Sequence, residues 1–180
     1  MQKTAIINLL ILFLALMGGL GGAKDYKERL GPYEVSFTLP DGVASKIVMN
    51  KTVTSSEALD GTPYDSYILD LDISGADGIF GSFEVKHYND SGKLDIDERI
   101  KIMEGLGKGY GYTSLSTHRI IDDHEGFIVH LFGSESEQYP QTYIFGYQID
   151  KQTNIEVGLI DANWDTTMVP FLKSLHVEAV

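Results

Sequence analysis

TYIFGYQIDKQTNIEVGLIDANWDTTMVPFLKSLHV, residues 142–177, is the stretch whose reading decides the fold. Tyr143, Phe145, Tyr147 and Ile149 alternate with Ile144, Gly146 and Gln148, the period of two that belongs to a strand. Asp150 to Asn154 supplies turn chemistry, and Ile155, Val157 and Leu159 resume the alternation on a returning strand. Met168, Phe171, Leu172 and Leu175 then recur at helical spacing. The stretch therefore predicts a hairpin with a short terminal helix laid on it. Full burial of each large apolar side chain would contribute about 1.5–3 kcal/mol.

Upstream the same reading extends the sheet. Tyr33, Val35, Phe37 and Leu39 alternate with Glu34, Ser36 and Thr38, and Pro40-Asp41-Gly42 ends that strand. Residues 46–55, 64–73 and 79–88 read as further strands, with Ser74 to Gly78 a turn. Asp95 is a good N-cap with Glu98 three residues on, the capping-box arrangement. Ile96, Ile100 and Met103 give that helix its apolar stripe, and Gly105, Gly107, Gly109 and Gly111 are read as ending it. Residues 116–122 and 127–133 form another hairpin around Asp123 to Gly126, and Ser134 to Gln141 is a polar loop containing Pro140.

The first residues stand apart. Lys3, the apolar run Ala5 to Leu20 and the small residues Gly18 to Ala23 follow the order of a secretory signal peptide. The run is short of the roughly 20 residues a membrane-spanning helix needs. The division predicted is a signal peptide over 1–23, a charged linker or helical turn over 24–32 and one domain over 33–180. Localisation is then secreted or extracytoplasmic, with membrane tethering only if the leader stays uncleaved. No cysteine follows the apolar run, so a lipoprotein anchor is excluded. Loss of residues 1–23 removes one lysine and no acid and takes the net charge from −12 to −13. Such a charge repels nucleic acid and anionic lipid. The absence of cysteine excludes disulfides, thiolate metal sites and a cysteine nucleophile.

With hairpins throughout, no βαβ rhythm, no internal repeat and no low-complexity tract, the expected class is α+β: an antiparallel β-sheet of about six or seven strands with two main helices packed on it. The closing segment Phe171-Leu172-Lys173-Ser174-Leu175-His176-Val177 is similar to the final helix of the PsbP-like group of α+β domains. The group is named for an extrinsic subunit of photosystem II and includes secreted prokaryotic proteins. The order of elements from Tyr33 onward resembles that group over most of the mature chain. The resemblance implies a central antiparallel sheet with helices on its faces, in a group made mostly of binding and accessory proteins. It carries over no functional residue.

Residues 87–98 have the spacing of a twelve-residue calcium loop, with Asn89, Ser91, Asp95 and Glu98 as oxygen ligands and Gly92 at the sharp turn. His87 at the first position is a departure, and turn chemistry with a helix cap accounts for the same residues. His118 and His130 share a sheet face if the loop between their strands has three residues, and lie on opposite faces if it has two or four. A metal site there would still want a third ligand. Gly105 to Gly111 is not a phosphate cradle, because it follows a helix instead of joining a strand to one. Its Tyr110 and Tyr112, with the single tryptophan Trp164, are candidate ligand contacts. Asn50 and Asn89 open glycosylation sequons.

There is no G-x-S-x-G elbow and no H-E-x-x-H, and Asp70 with Asp72 reads as a polar strand face. The function expected is a secreted, non-catalytic binding or accessory domain acting on an unknown protein or small ligand, with no cofactor unless calcium. A weak calcium-binding module or an uncatalogued extracytoplasmic hydrolase is the alternative.

Overall fold

The structure, a computed structural model, describes residues 22–58, 61–73, 79–90, 94–133 and 141–180. Residues 1–21 of the expected signal peptide, the turn at 74–78 and residues 134–140 of the expected polar loop lie outside the described residues; Ala23 opens the first strand and Gln141 another. Ten strands are described: β1 (Ala23–Leu30), β2 (Tyr33–Pro40), β3 (Ile47–Glu57), β4 (Pro63–Ile73), β5 (Ile79–Tyr88), β6 (Thr113–Ile121), β7 (His124–Phe132), β8 (Gln141–Gln148), β9 (Thr153–Ile160) and β10 (His176–Ala179). The helices are α1 (Asp41–Ala44), α2 (Ile96–Gly109) and α3 (Val169–Ser174), the last entered through a π turn over Trp164–Met168.

The strands form two antiparallel sheets: seven strands in the order β3-β4-β5-β9-β8-β7-β6, and three in the order β1-β2-β10. This corrects the α+β class. Strands make up about 60% of the described chain, and only α2 runs beyond two turns, so the protein is mainly β. The sheet of six or seven strands has the expected size. Its inner face, however, is covered by a second sheet and the short α3 rather than by two main helices.

One apolar cluster joins the layers. Val35, Phe37 and Leu39 of β2 meet Leu69, Phe83, Phe145 and Val157 of the large sheet, all essentially buried. Phe171 of α3 sits between them, its ring 5.0 Å from Phe37 and 6.0 Å from Phe145. A second cluster lies on the opposite face, where Ile100 and Met103 of α2 cover Phe127, Val129 and Leu131 of β7.

Residues 24–30, read as a linker or a helical turn, are most of strand β1, which pairs with β2 from Ala23↔Pro40 to Leu30↔Tyr33. Charge concealed it: β1 lies at a sheet edge, where charged side chains discourage further pairing, and of its residues Tyr26 and Leu30 join the apolar cluster.

The terminal helix is also shorter than its apolar spacing suggests. Residues 164–168 wind into the wider turn, and Leu175 is already extended at φ −63°, ψ 128°. Residues 176–179 leave as β10, placing Val177 opposite Val35. The glycines do not end α2, which continues through Gly105 and Gly107 to Gly109. Gly107 faces the sheet so closely that a Cβ would stand 2.6 Å from Leu131 Cδ2. Gly111, at φ +79°, is the residue whose backbone requires glycine just past the helix.

The hairpin β6–β7 turns through Asp122 and Asp123 at φ 49° and 64°, both positive as a two-residue hairpin turn demands. It does not turn through residues 123–126 as read. Aspartate tolerates that conformation better than most side chains.

Candidate functional site

Helix α2 packs over β7 and β6. Beside it, the outer faces of β4, β5 and β9 line a cleft of about 520 Å³. Strand register builds its floor. Ser66, Lys86 and Asn154 stand in one cross-strand row, Ile68, Glu84 and Glu156 in the next, and Tyr64 with Tyr88 beyond Ser66 and Lys86. Two carboxylates are thereby set side by side, which like charges resist unless cations intervene. Lys86 Nζ lies 3.1 Å from Glu84 and 3.7 Å from Glu156. Arg99, next to the buried Ile100 on α2, reaches over the floor and holds Glu156 through both oxygens, Nε at 2.9 Å and one terminal nitrogen at 2.6 Å. Ser66 Oγ donates to Glu84.

Burial by itself would push the Lys86 ammonium down. The Glu156 and Glu84 carboxylates outweigh it against Arg99, and its pKa stands above the ordinary lysine value. Two acids and two bases thus form a partly buried, internally neutral quartet.

Against this quartet stands one orphan. Asn154 is 7% exposed, and its Oδ1 is the one buried side-chain polar atom among the described residues with no hydrogen-bond partner. A buried acceptor left unpaired costs about 1–3 kcal/mol. The half-buried rings of Tyr64 and Tyr88 flank the same cleft with centroids 5.2 Å apart. Burial pushes the Tyr88 hydroxyl up, and Lys86 and Asn154 pull it back. Glu57, Asp95 and Glu98 line the rest together with Leu94 and Ile102.

The expected calcium ligands, where described, have other partners. Asp95 Oδ1 accepts the backbone N–H of Glu98 at 3.0 Å and so serves as the N-cap of α2, while Glu98 also lines the cleft. Asn89 is fixed by its backbone, its carbonyl accepting from Gln152 Nε2 at 3.2 Å. Ser91 lies outside the described residues. His87 turns to the inner face, where its Nδ1 lies 2.7 Å from the Tyr33 hydroxyl and 3.3 Å from Thr153 Oγ1. Among the described residues no group of three or more His, Asp or Glu stands close enough to hold a metal.

With a two-residue turn between their strands, His118 and His130 fall on opposite faces. His118 Nε2 lies 3.0 Å from Asp97 on the α2 side. His130 stacks on Tyr143 at 4.2 Å on the inner side, where burial lowers its pKa against the hydrogen bond that its Nε2 donates to Gln141 Oε1.

Of the three aromatic candidates, Tyr110 is 76% exposed, and Tyr112 packs against the cluster under α2. Trp164 packs 5.5 Å from Tyr143 and closes a separate, shallow groove of about 260 Å³ with Leu115, Ile128 and His130. The three do not converge on one site. Asp72 accepts from Asn50 Nδ2 at 2.9 Å on the exposed outer face.

The cleft residues Tyr64, Lys86, Tyr88, Arg99, Asn154 and Glu156, with Glu84 beside them, escaped the sequence reading. Polar alternation marked the outward face of the strands, but only strand register, with α2 laid beside it, brings them together. Among the described residues no helix is long and apolar enough to cross a membrane. Comparison of the chain with protein-family models, with curated proteins and with solved structures finds no match.

Proposed function

We propose that this chain is an extracytoplasmic, non-catalytic binding domain whose ligand site is the cleft between α2 and the outer faces of β4, β5 and β9. The observation that carries this reading is the orphaned Asn154 Oδ1. Its neighbours Ser66, Glu84, Lys86, Arg99 and Glu156 are all paired, so among the described residues nothing supplies the missing donor, and a ligand can. The pairing also supports a binding role over hydrolysis, because the two floor carboxylates are engaged by Lys86 and Arg99 and neither is positioned as a free acid or base. An apolar flank with a few convergent polar groups is the usual build of a ligand pocket.

The test needs no ligand. Replacing Asn154 with leucine, which keeps the branched shape and has open cleft space for its larger volume, removes the unpaired acceptor. A binding site kept at the expense of stability then gains about 1 kcal/mol, a rise of roughly 2–4 °C in melting midpoint for a domain of this size. A lowered midpoint would mean that Asn154 stabilises the fold, and the reading would fall. Melting with and without millimolar calcium addresses the calcium alternative, since a cation bound to the native state alone raises the midpoint.

A further inference from the structure

We infer that the ligand of this cleft is a neutral carbohydrate, bound with its polar edge against the Asn154 row and a ring face against Tyr64 and Tyr88. This rests on the binding reading above and adds the chemical class.

Charge narrows the choice first. An anion entering the cleft would meet Glu57, Asp95, Glu98 and Glu156, which all line it. A cation reaching Asn154 Oδ1 would have to lie beside Lys86, the direct cross-strand neighbour of Asn154. Either ion would also disturb a quartet whose charges already cancel, and breaking one partner of a desolvated pair is costly. A neutral guest avoids both conflicts.

Hydrogen bonding narrows it further. The floor offers an acceptor without a donor at Asn154, further acceptors on Glu156 and donors on Lys86 and Arg99. A hydroxyl group supplies one donor and two acceptor sites from a single atom, so a row of adjacent hydroxyls can satisfy this mixed surface where a purely donating or purely accepting group cannot. The tyrosines supply the other requirement. Their half-buried rings, tilted 39° to each other, give an apolar wall whose edges remain polar, and either ring face suits the C–H face of a pyranose. The volume of about 520 Å³ is within the range of small-ligand pockets and suits one or two sugar rings.

The experiment is a calorimetric titration of the purified protein with D-glucose, D-mannose, D-galactose, N-acetyl-D-glucosamine, cellobiose and chitobiose. Spermidine, inorganic phosphate and calcium chloride are run beside them. At least one sugar is expected to bind saturably, with its Kd weakened tenfold or more in both Asn154→Leu and Tyr64→Ala. Tyr64 is only half buried, so the second variant stays informative if the first folds poorly. Binding of no sugar, binding undiminished in both variants, or binding of spermidine, phosphate or calcium in place of sugars would each overturn the inference. A raised midpoint in ligand-free Asn154→Leu with no sugar bound would discard the carbohydrate and leave the site standing. A lowered midpoint together with sugar binding undiminished in Tyr64→Ala would discard the site itself.

Discussion

The carboxylate of Asp122, at the tip of the β6–β7 turn, lies 2.8 Å from Nδ1 of His176 on β10. Its other oxygen accepts the backbone N–H of Val177 at 3.0 Å and the Tyr147 hydroxyl at 3.3 Å. One side chain of the large sheet thus clasps the last strand of the small one. The hydrogen bond to Asp122 raises the His176 pKa, burial opposes it, and the charges of Asp122, Glu178 and Asp123 add to the rise. A pKa raised on folding gives stability that is complete below the unfolded value of about 6.5 and is lost as pH climbs through the folded value. The stability margin of the wild type over His176→Asn should therefore be largest below about pH 6.5 and shrink as pH climbs through the raised folded value. Denaturant titration across that range checks it, and a margin independent of pH would contradict the clasp. Because the His176 side chain is 56% exposed, solvent screening keeps this margin small. Asp122→Asn, which keeps the left-handed turn, should cost about 1–3 kcal/mol through the bonds it weakens.

Three glycines should respond in opposite directions to the same change. Gly105 faces open space, so Gly105→Ala should stabilise α2 by about 0.5–1 kcal/mol. Gly107→Ala brings a methyl to 2.6 Å from buried Leu131, and the crowding should outweigh the gain in helix propensity by about 1 kcal/mol. At Gly126 a Cβ would stand 2.5 Å from the backbone oxygen of Gly146, an obstacle no rotamer can relieve. Gly126→Ala should therefore cost about 3 kcal/mol. Chemical denaturation of the three variants gives the ordering directly.

Arg99 and Glu156 should show strong energetic coupling, since the guanidinium fork ties α2 to β9 in a partly desolvated setting. Arg99→Leu and Glu156→Leu should each destabilise by about 2 kcal/mol, and the double variant by less than their sum, leaving a coupling of about 1–3 kcal/mol. A coupling near zero in the double-mutant cycle would mean that water already screens the pair.

Local pattern carried most of the large sheet and the middle strand of the small one. Strands such as β2, β8 and β9 turn one face to the core, so Tyr33 to Leu39, Tyr143 to Tyr147 and Ile155 to Leu159 print their period directly into the sequence. The cap at Asp95 was legible for the same reason, because donor and acceptor are three residues apart. The two edge strands β1 and β10 were not. Lys24 to Arg29 carries charge where a central strand would carry valine, and His176 to Ala179 is too short to show a period. The cleft was the least legible part. Glu84 with Glu156, and Lys86 with Asn154, are neighbours only through the pairing of β5 with β9, and no local spacing announces which strands will lie side by side. Trp164, chosen for its rarity, became the wall of a different groove.

The small sheet has a consequence for how the molecule is made. Its middle strand holds Val35 against Val177, partners from opposite ends of the described chain. A nascent polypeptide arrested before residue 176 would present β2 with one side unpaired and Asp122 without its imidazole. Contacts between such distant segments close late and slowly, so the native layer over the core waits for nearly the whole chain to be synthesised.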